Sequence, residues 1–249
     1  MVHEFGSTSI AKGPVIKKKI PGITGILPRL PKDLSAHLFA DTSHRHLKAG
    51  EALFRAGDAG NGCYLLDKGL LKVVISSPRG EERILAILGP GTIAGELSVI
   101  DGEPRSASVF AIKDCELSFI SQAVFEKCAQ QHPEIYHYLV DVLAARLRET
   151  SQAVAADSFL TVKSRLARAL LELAKFLGEE EAQGRIVIRH KINQNDLAAM
   201  AGVARENVSR VLSDWRRRNV VTRSTGYYYI NDIARLKRRV DFSDQGVDS

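Results

Sequence analysis

The residues best able to do chemistry together lie in Ala94-Gly-Glu-Leu-Ser-Val-Ile-Asp-Gly-Glu-Pro-Arg-Ser-Ala-Ser108. Glu96 can accept hydrogen bonds from a diol such as a ribose. Arg105 presents a planar guanidinium fork that matches the oxygens of a phosphate, and Ser106 adds a hydroxyl to the same oxygens. Gly95 lets backbone N–H groups come close to a ligand, and a short helix starting near Glu96 would aim its unpaired N–H groups at an anion. Phosphate and ribose held together make a nucleotide pocket. A bare Gly-Glu-Leu would instead be a surface loop with Glu96 and Arg105 solvated or paired to each other. The Arg-Ser-Ala spacing and the strand patterns on both sides favour the pocket.

A second constellation sits near the C-terminus. Asn193-Gln-Asn-Asp-Leu-Ala-Ala-Met-Ala-Gly202 followed by Val203 to Trp215 has the form of a helix-turn-helix. Asn193 or Asn195 can cap the first helix, whose apolar face is Leu197, Ala198 and Ala201. Gly202 gives the turn, and Val208, Val211, Leu212 and Trp215 pack the second helix. That leaves Arg205, Glu206 and Ser209 near its exposed start, with Arg210 one turn on. Arginine forks suit guanine O6/N7 and glutamate suits the cytosine amino group. The plainer reading is an i,i+4 ion pair between Glu206 and Arg210, worth only ~0.3 kcal/mol. Val220 to Ile230, turning at Gly226, reads as a hairpin wing. Arg216-Arg-Arg218, Arg223 and Lys237-Arg-Arg239 are candidate phosphate contacts, though each is also an ordinary solvated side chain.

The elements that must position these groups follow from patterning. A helix from Lys32 to Phe39 starts after Pro31. From about His46 to Ile120 the chain reads as strands and turns. Tyr64 to Ile75 is expected as two strands hinged at Lys68-Gly69, with further strands over Arg83–Leu88, Ala107–Ile112 and Glu116–Ile120. Ser121 caps a helix through Lys127. A long helix with Pro133 in its first turn runs to about Ser158, carrying the seam Leu143, Leu147, Thr150, Val154, Asp157 at alternating spacings of four and three. Thr150 and Ser151 are polar on and beside that seam. They are either tolerated near solvent or face a ligand between the strands and paired helices. A second amphipathic helix spans Thr161 to Phe176 and stops at Gly178, Glu179-Glu-Glu181 reads as a solvated loop, and Ile186-Val-Ile188 as a short strand.

Gly95-Glu96-Leu97 and Arg105-Ser106-Ala107 together resemble the phosphate-binding cassette of cyclic-nucleotide-binding domains. The resemblance implies Glu96 on the ribose 2′-hydroxyl and Arg105 with Ser106 on the cyclic phosphate. Arg148-Glu-Thr-Ser-Gln152, Phe159-Leu160 and Leu170-Leu-Glu-Leu-Ala-Lys175 are similar to the dimer helix and its successor in the bacterial cyclic-AMP receptor (Crp/Fnr) family. There a Thr-Ser pair meets the adenine edge from two subunits, and Thr150 and Ser151 match it. A hydroxyl both donates and accepts, so the pair implies a purine, cyclic AMP first with cyclic GMP possible. Arg205-Glu206 with Arg210 reproduces the family's Arg-Glu-x-x-x-Arg recognition helix. Thr161 departs from the Asp that the best-known members carry at the hinge.

The resemblance covers about residues 30 to 238 and implies an α+β fold: an N-terminal cyclic-nucleotide-binding β-roll (jelly roll), a long dimerisation helix and a C-terminal winged helix-turn-helix. The expected boundaries are a disordered tail at 1–28, the β-roll at 29–131, the dimer helix at 132–160, the DNA-binding unit at 161–239 and a tail at 240–249. The implied partners are double-stranded DNA with TGTGA-like inverted repeats, a second copy of the chain, and RNA polymerase. Arg105→Ala is expected to abolish the nucleotide response and leave the fold intact.

Composition agrees with this organisation. At 249 residues, 45% hydrophobic and 26% charged, the chain has room for two modest cores. Residues 1–160 carry 18 basic and 18 acidic side chains, and residues 161–249 carry 17 and 11, so the whole net charge of +6 lies in the C-terminal third. A basic unit beside a neutral one is the footprint of a protein whose basic part meets nucleic acid. Lys17-Lys-Lys19 in a glycine-punctuated start could touch phosphates or be a solvated tail. No apolar run approaches the ~20 residues of a membrane span, and no secretory h-region opens the chain. Three scattered cysteines, Cys63, Cys115 and Cys128, suit a reducing cytoplasm and supply neither a disulfide framework nor an iron–sulfur cluster. No metal site is expected; haem ligation by His44, His46, His132 or His137 stays open, as does a regulator of the same fold that answers to another effector or acts without ligand. No nucleophile elbow, P-loop, zinc-ligand pair or carboxylate dyad points to an enzyme.

Overall fold

The computed structural model describes residues 30–39, 42–181 and 184–240. The expected tails at 1–28 and 240–249 lie outside them, Lys17–Lys19 included, except Val240, which is buried in the C-terminal core rather than in a tail.

Helix α1 (Lys32–Leu38) starts at Pro31, whose missing N–H costs nothing at a helix start. Strands β1 (Ser43–Leu47), β2 (Ala52–Phe54), β3 (Gly62–Ser76), β4 (Glu82–Leu88) and β5 (Ile93–Ala94) follow, then the short helix α2 (Glu96–Asp101) and strand β6 (Ser108–Ser121). They form one antiparallel sheet in the order β1-β6-β3-β4, with β2 also on β6 and β5 on β3. Two expectations need correction. Tyr64 to Ile75 is one strand rather than two, because bulges between Leu66 and Leu71 absorb the irregularity around Gly69 without ending the pairing. Ala107–Ile112 and Glu116–Ile120 likewise merge into β6, held along most of its length by β3.

Helix α3 (Gln122–Gln131) is capped by the Ser121 hydroxyl, which accepts from the Val124 N–H at 3.4 Å. Helix α4 (Glu134–Phe159) follows Pro133. Its inner face, Ile135, Tyr138, Leu139 and Val142, joins α1, α3 and the sheet in one apolar cluster. Its outer stripe leaves Val140, Leu147 and Val154 all more than 60% exposed. On the expected seam, Asp157 turns instead to its own chain, pairing with Arg83 at 3.0 Å and Arg165 at 3.4 Å.

Helix α5 (Val162–Leu177) is capped by Thr161, whose hydroxyl accepts from Ser164 N–H at 3.2 Å. Gly178 is no left-handed stop. Its φ is −81°, and it opens strand β7 (Gly178–Glu180) directly; a Cβ there would overlap the Ala174 carbonyl. The expected acidic loop is therefore an edge strand on β8 (Ile186–Ile188), with Arg189 2.6 Å from Glu179 and Arg185 bound to Glu181. Helices α6 (Gln194–Ala201) and α7 (Arg205–Arg217), strands β9 (Val221–Ser224) and β10 (Tyr227–Ile230), and helix α8 (Ile233–Arg238) complete the chain. The second sheet runs β7-β8-β10-β9. Trp215, Tyr228, Leu166 and Leu170 anchor its cluster, to which Val240 belongs, as do Leu70 and Ile87 from the first sheet.

Candidate ligand pocket and nucleic-acid interface

The pocket is set by a glycine. Gly95 caps α2 at φ +84°, and a Cβ there would overlap the Arg105 guanidinium. Arg105 is buried; its two terminal nitrogens donate to the carbonyls of Gly95 and Gly62, each at 2.7 Å, and its fork lies 4.4 Å from the centre of the Phe54 ring. It therefore holds the loop as well as presenting charge, with Nε left without a partner. Glu96 is 1% exposed at the start of α2. Arg146 of α4 pairs with it: Nη2 donates to Oε2 at 3.3 Å, while Nη1 stands 3.1 Å from Oε1 outside hydrogen-bond geometry. Oε1 thus keeps an open acceptor.

These side chains border two adjoining hollows. The smaller, about 30 Å³, is lined by Gly95, Glu96, Leu97, Arg105, Ser106, Ala107 and Arg146 among others. The larger, about 460 Å³, lies between the first sheet, α4 and α5 and shares Val73, Leu97, Ser106, Ala107 and Arg146 with the first. Thr150 lines the larger one. Ser151 lines neither; it is exposed and its hydroxyl donates to Leu147 O in its own helix at 2.9 Å. Every expected cassette residue and Thr150 are therefore brought together, and Ser151 stands apart.

Two residues on this wall escaped the sequence reading. Arg146 lies one helical turn before Thr150, and that i,i+4 spacing was the available signal. Glu149 is buried, and desolvation, reinforced by the nearby Glu172, pushes its pKa up to about 7 against the pull of Arg146, Lys175 and Arg168. Among the described residues no three His, Cys, Asp or Glu side chains gather as a metal site. His44 faces the Ser118 hydroxyl at 3.3 Å and His132 faces Glu134 at 3.2 Å.

The C-terminal face is built the same way. Asn193 caps α6 by accepting from Asp196 N–H at 2.8 Å. Gly202 turns the chain at φ +60°, a conformation that suits glycine, and a Cβ there would displace the Arg83 guanidinium. Val208, Val211 and Trp215 fasten α7 inward, with Leu212 half-buried, so Arg205, Glu206, Ser209 and Arg210 face solvent. Among the described residues Glu206 and Arg210 form no ion pair with each other. Ser209 and Arg216 border a groove of about 410 Å³ against the wing, together with Thr222, Arg223 and Gly226. Arg216, Arg217 and Arg218 are all exposed, and the last two pair with Asp214 at 3.6 and 3.0 Å.

The N-terminal sheet and the C-terminal helices are joined directly. Lys72 of β3 meets Asp196 of α6 at 2.9 Å, both side chains less than a third exposed. Arg165 donates to Gly202 O at 3.0 Å and pairs with the same Asp157 that holds Arg83.

Comparison with known proteins agrees with this geometry. Residues 44–132 match the cyclic nucleotide-binding domain and residues 164–239 the Crp-like helix-turn-helix domain. A CRP-like cAMP-activated global transcriptional regulator of Mycobacterium tuberculosis is 33% identical over 190 residues, covering 76% of this chain and 84% of that protein. The cyclic AMP receptor protein of Thermus thermophilus is 35% identical over 188 residues, covering 76% and 83%. A CRP/FNR-family transcriptional regulator of Thermus thermophilus superposes with a TM-score of 0.69 at 26% identity, over 80% of this chain and 98% of that one. No helix among the described residues is long and apolar enough to cross a membrane. With a buried Glu-Arg cassette at one end and an exposed recognition helix at the other, the chain belongs to the CRP/FNR family of cyclic-nucleotide-binding, DNA-binding transcription regulators.

Proposed function

We propose that this chain works as a cytoplasmic homodimer answering to a cyclic purine nucleotide, cyclic AMP in the first instance, and binding inverted repeats of TGTGA-like half-sites. Residues 29–131 sense, 132–160 dimerise and 161–239 read DNA. The observation that carries this reading is the convergence of Glu96, Arg105, Ser106 and Thr150 on two adjoining hollows between sheet and dimer helix. Arg105 and Ser106 take the cyclic phosphate, the open oxygen of Glu96 takes the ribose hydroxyl, and Thr150 takes the base edge. The cAMP-activated relatives support cyclic AMP as effector.

Dimerisation follows from the outer stripe of α4, which leaves Tyr136, Val140, Leu147 and Val154 half or more exposed. Pairing two α4 helices along it would cover these side chains and bring Ser151 of the second copy to the base. Nucleotide in the larger hollow touches α4 and β4 together, the two elements that hold the turn before the recognition helix through Asp157 and Arg83. Binding therefore shifts the population toward one spacing of the two α7 helices. On DNA, Arg205, Glu206 and Arg210 read base edges, Ser209 assists, and Arg216 and Arg223 meet phosphates. The two half-sites lie about 34 Å apart, one helical turn, as in other helix-turn-helix dimers. Contact with RNA polymerase is the expected output.

The test is fluorescence anisotropy on a labelled inverted repeat, with and without cyclic AMP, beside sedimentation of wild type and Leu147→Asp. A gain in DNA affinity of about 5- to 150-fold with nucleotide is expected, with the variant sedimenting as a monomer. An unchanged affinity at saturating cyclic AMP overturns the effector, and a monomeric wild type overturns the dimer.

A further inference from the structure

Glu149 lines the larger hollow beside Thr150, and none of the roles above uses it. Its side chain is only 8% exposed, and Oε1 has no hydrogen-bond partner. Enclosed polar atoms in folded proteins are nearly always paired, so an orphan on a residue that lines a hollow marks a place where a ligand can bring the missing group. The charged groups facing it are Arg146 on its own helix and Glu172, Arg168 and Lys175 on α5. Arg146 is committed to Glu96, and Arg168 donates to Gln152 O at 3.4 Å.

We propose that Glu149 is the residue that chooses between purines, its carboxyl group reading the Watson–Crick edge of the base. The O–H donates to adenine N1 and the carbonyl oxygen accepts from the 6-amino group. The ionised carboxylate has acceptors only, so it repels N1 of adenine and fits the N1–H and 2-amino pair of guanine. Thr150 cannot make this distinction, because a hydroxyl satisfies either base. Burial and Glu172 hold Glu149 near the point where both forms coexist at neutral pH. Ligand choice in this pocket is thereby tied to acidity. The inference rests on the cyclic-nucleotide reading of the site.

The experiment is isothermal titration of the full chain with cyclic AMP and with cyclic GMP at pH 6 and pH 8, in wild type, Glu149→Gln and Glu149→Ala. Wild type is expected to bind cyclic AMP about tenfold more weakly at pH 8, since a group titrating near 7 loses about nine tenths of its neutral form by then, and to bind cyclic GMP more tightly there. Glu149→Gln keeps donor and acceptor at every pH, so its cyclic AMP affinity should be flat and close to the wild-type value at pH 6. Glu149→Ala should lose the preference between bases. Melting curves confirm that the variants fold. A flat wild-type profile with binding intact, or a Glu149→Gln profile sloping like wild type, overturns this inference alone. Failure of both nucleotides to bind wild type at either pH overturns the underlying reading and this one with it.

Discussion

Replacing Arg105 by alanine tests how much of the pocket is architecture. The sequence alone suggests a ligand contact that can be removed without harm. In the fold, truncation leaves the carbonyls of Gly95 and Gly62 each short of a charged donor at 2.7 Å. A buried group left unsatisfied costs about 1–3 kcal/mol, and two of them about 2–6. Loss of the guanidinium over Phe54 adds about 1 kcal/mol, while relief from burying a cation whose Nε has no partner offsets part of this. The net is about 4 kcal/mol, a large fraction of the 5–15 kcal/mol that holds a typical domain together. For a chain of this size that is a fall in Tm of about 8–16 °C. Circular dichroism melts without nucleotide read it directly. Ser106→Ala, which removes an exposed hydroxyl, is the control and should move by about 2 °C or less. An Arg105→Ala melt within about 2 °C of wild type would refute the reasoning and return Arg105 to a purely ligand-facing role.

Arg205→Ala should relax base preference at one position of each half-site, costing about 1–3 kcal/mol on the preferred sequence and little on a mismatched one; competition with single-base operator variants measures the difference. Reversing either member of the Lys72–Asp196 pair (Lys72→Glu or Asp196→Lys) should change the nucleotide dependence of DNA binding, and the double reversal should restore it. A double-mutant cycle giving a coupling near zero would show that the pair is ornamental. Glu149 also makes stability depend on pH. Its carboxyl is held protonated above the range of an unfolded glutamate, so its stabilising contribution is complete below about pH 4.5 and is lost as pH rises through about 7. The loss is on the order of 3 kcal/mol, visible as a drop in denaturant midpoint between pH 5 and pH 8 that Glu149→Gln should largely remove.

What could be read in advance was local. Pro31, Ser121, Thr161 and Asn193 announce helix starts because capping involves only neighbours in the chain, and Gly202 marks its turn for the same reason. The cassette was legible because Gly95, Glu96, Arg105 and Ser106 lie within a dozen positions. What escaped depends on distant partners. The unbroken run of β3 through Gly69 follows from its ladder with β6, some 45 positions away. The Glu-Glu-Glu run, exposed as expected at Glu179 and Glu180, looked like a loop because nothing nearby announces that β8 pairs with it. Arg146 looked like any helix arginine, since its partner Glu96 belongs to another element. Asp157 occupies a seam position by spacing, yet two arginines from different elements claim it.

Leu70 and Ile87 leave their own sheet to fill the cluster around Trp215 and Tyr228. A C-terminal fragment cut away at Thr161 would therefore carry a bare greasy patch where those two side chains had been. Grafting this reader onto a foreign sensor would demand resurfacing that patch or supplying two matching aliphatic plugs, so the halves of this regulator are not interchangeable cassettes.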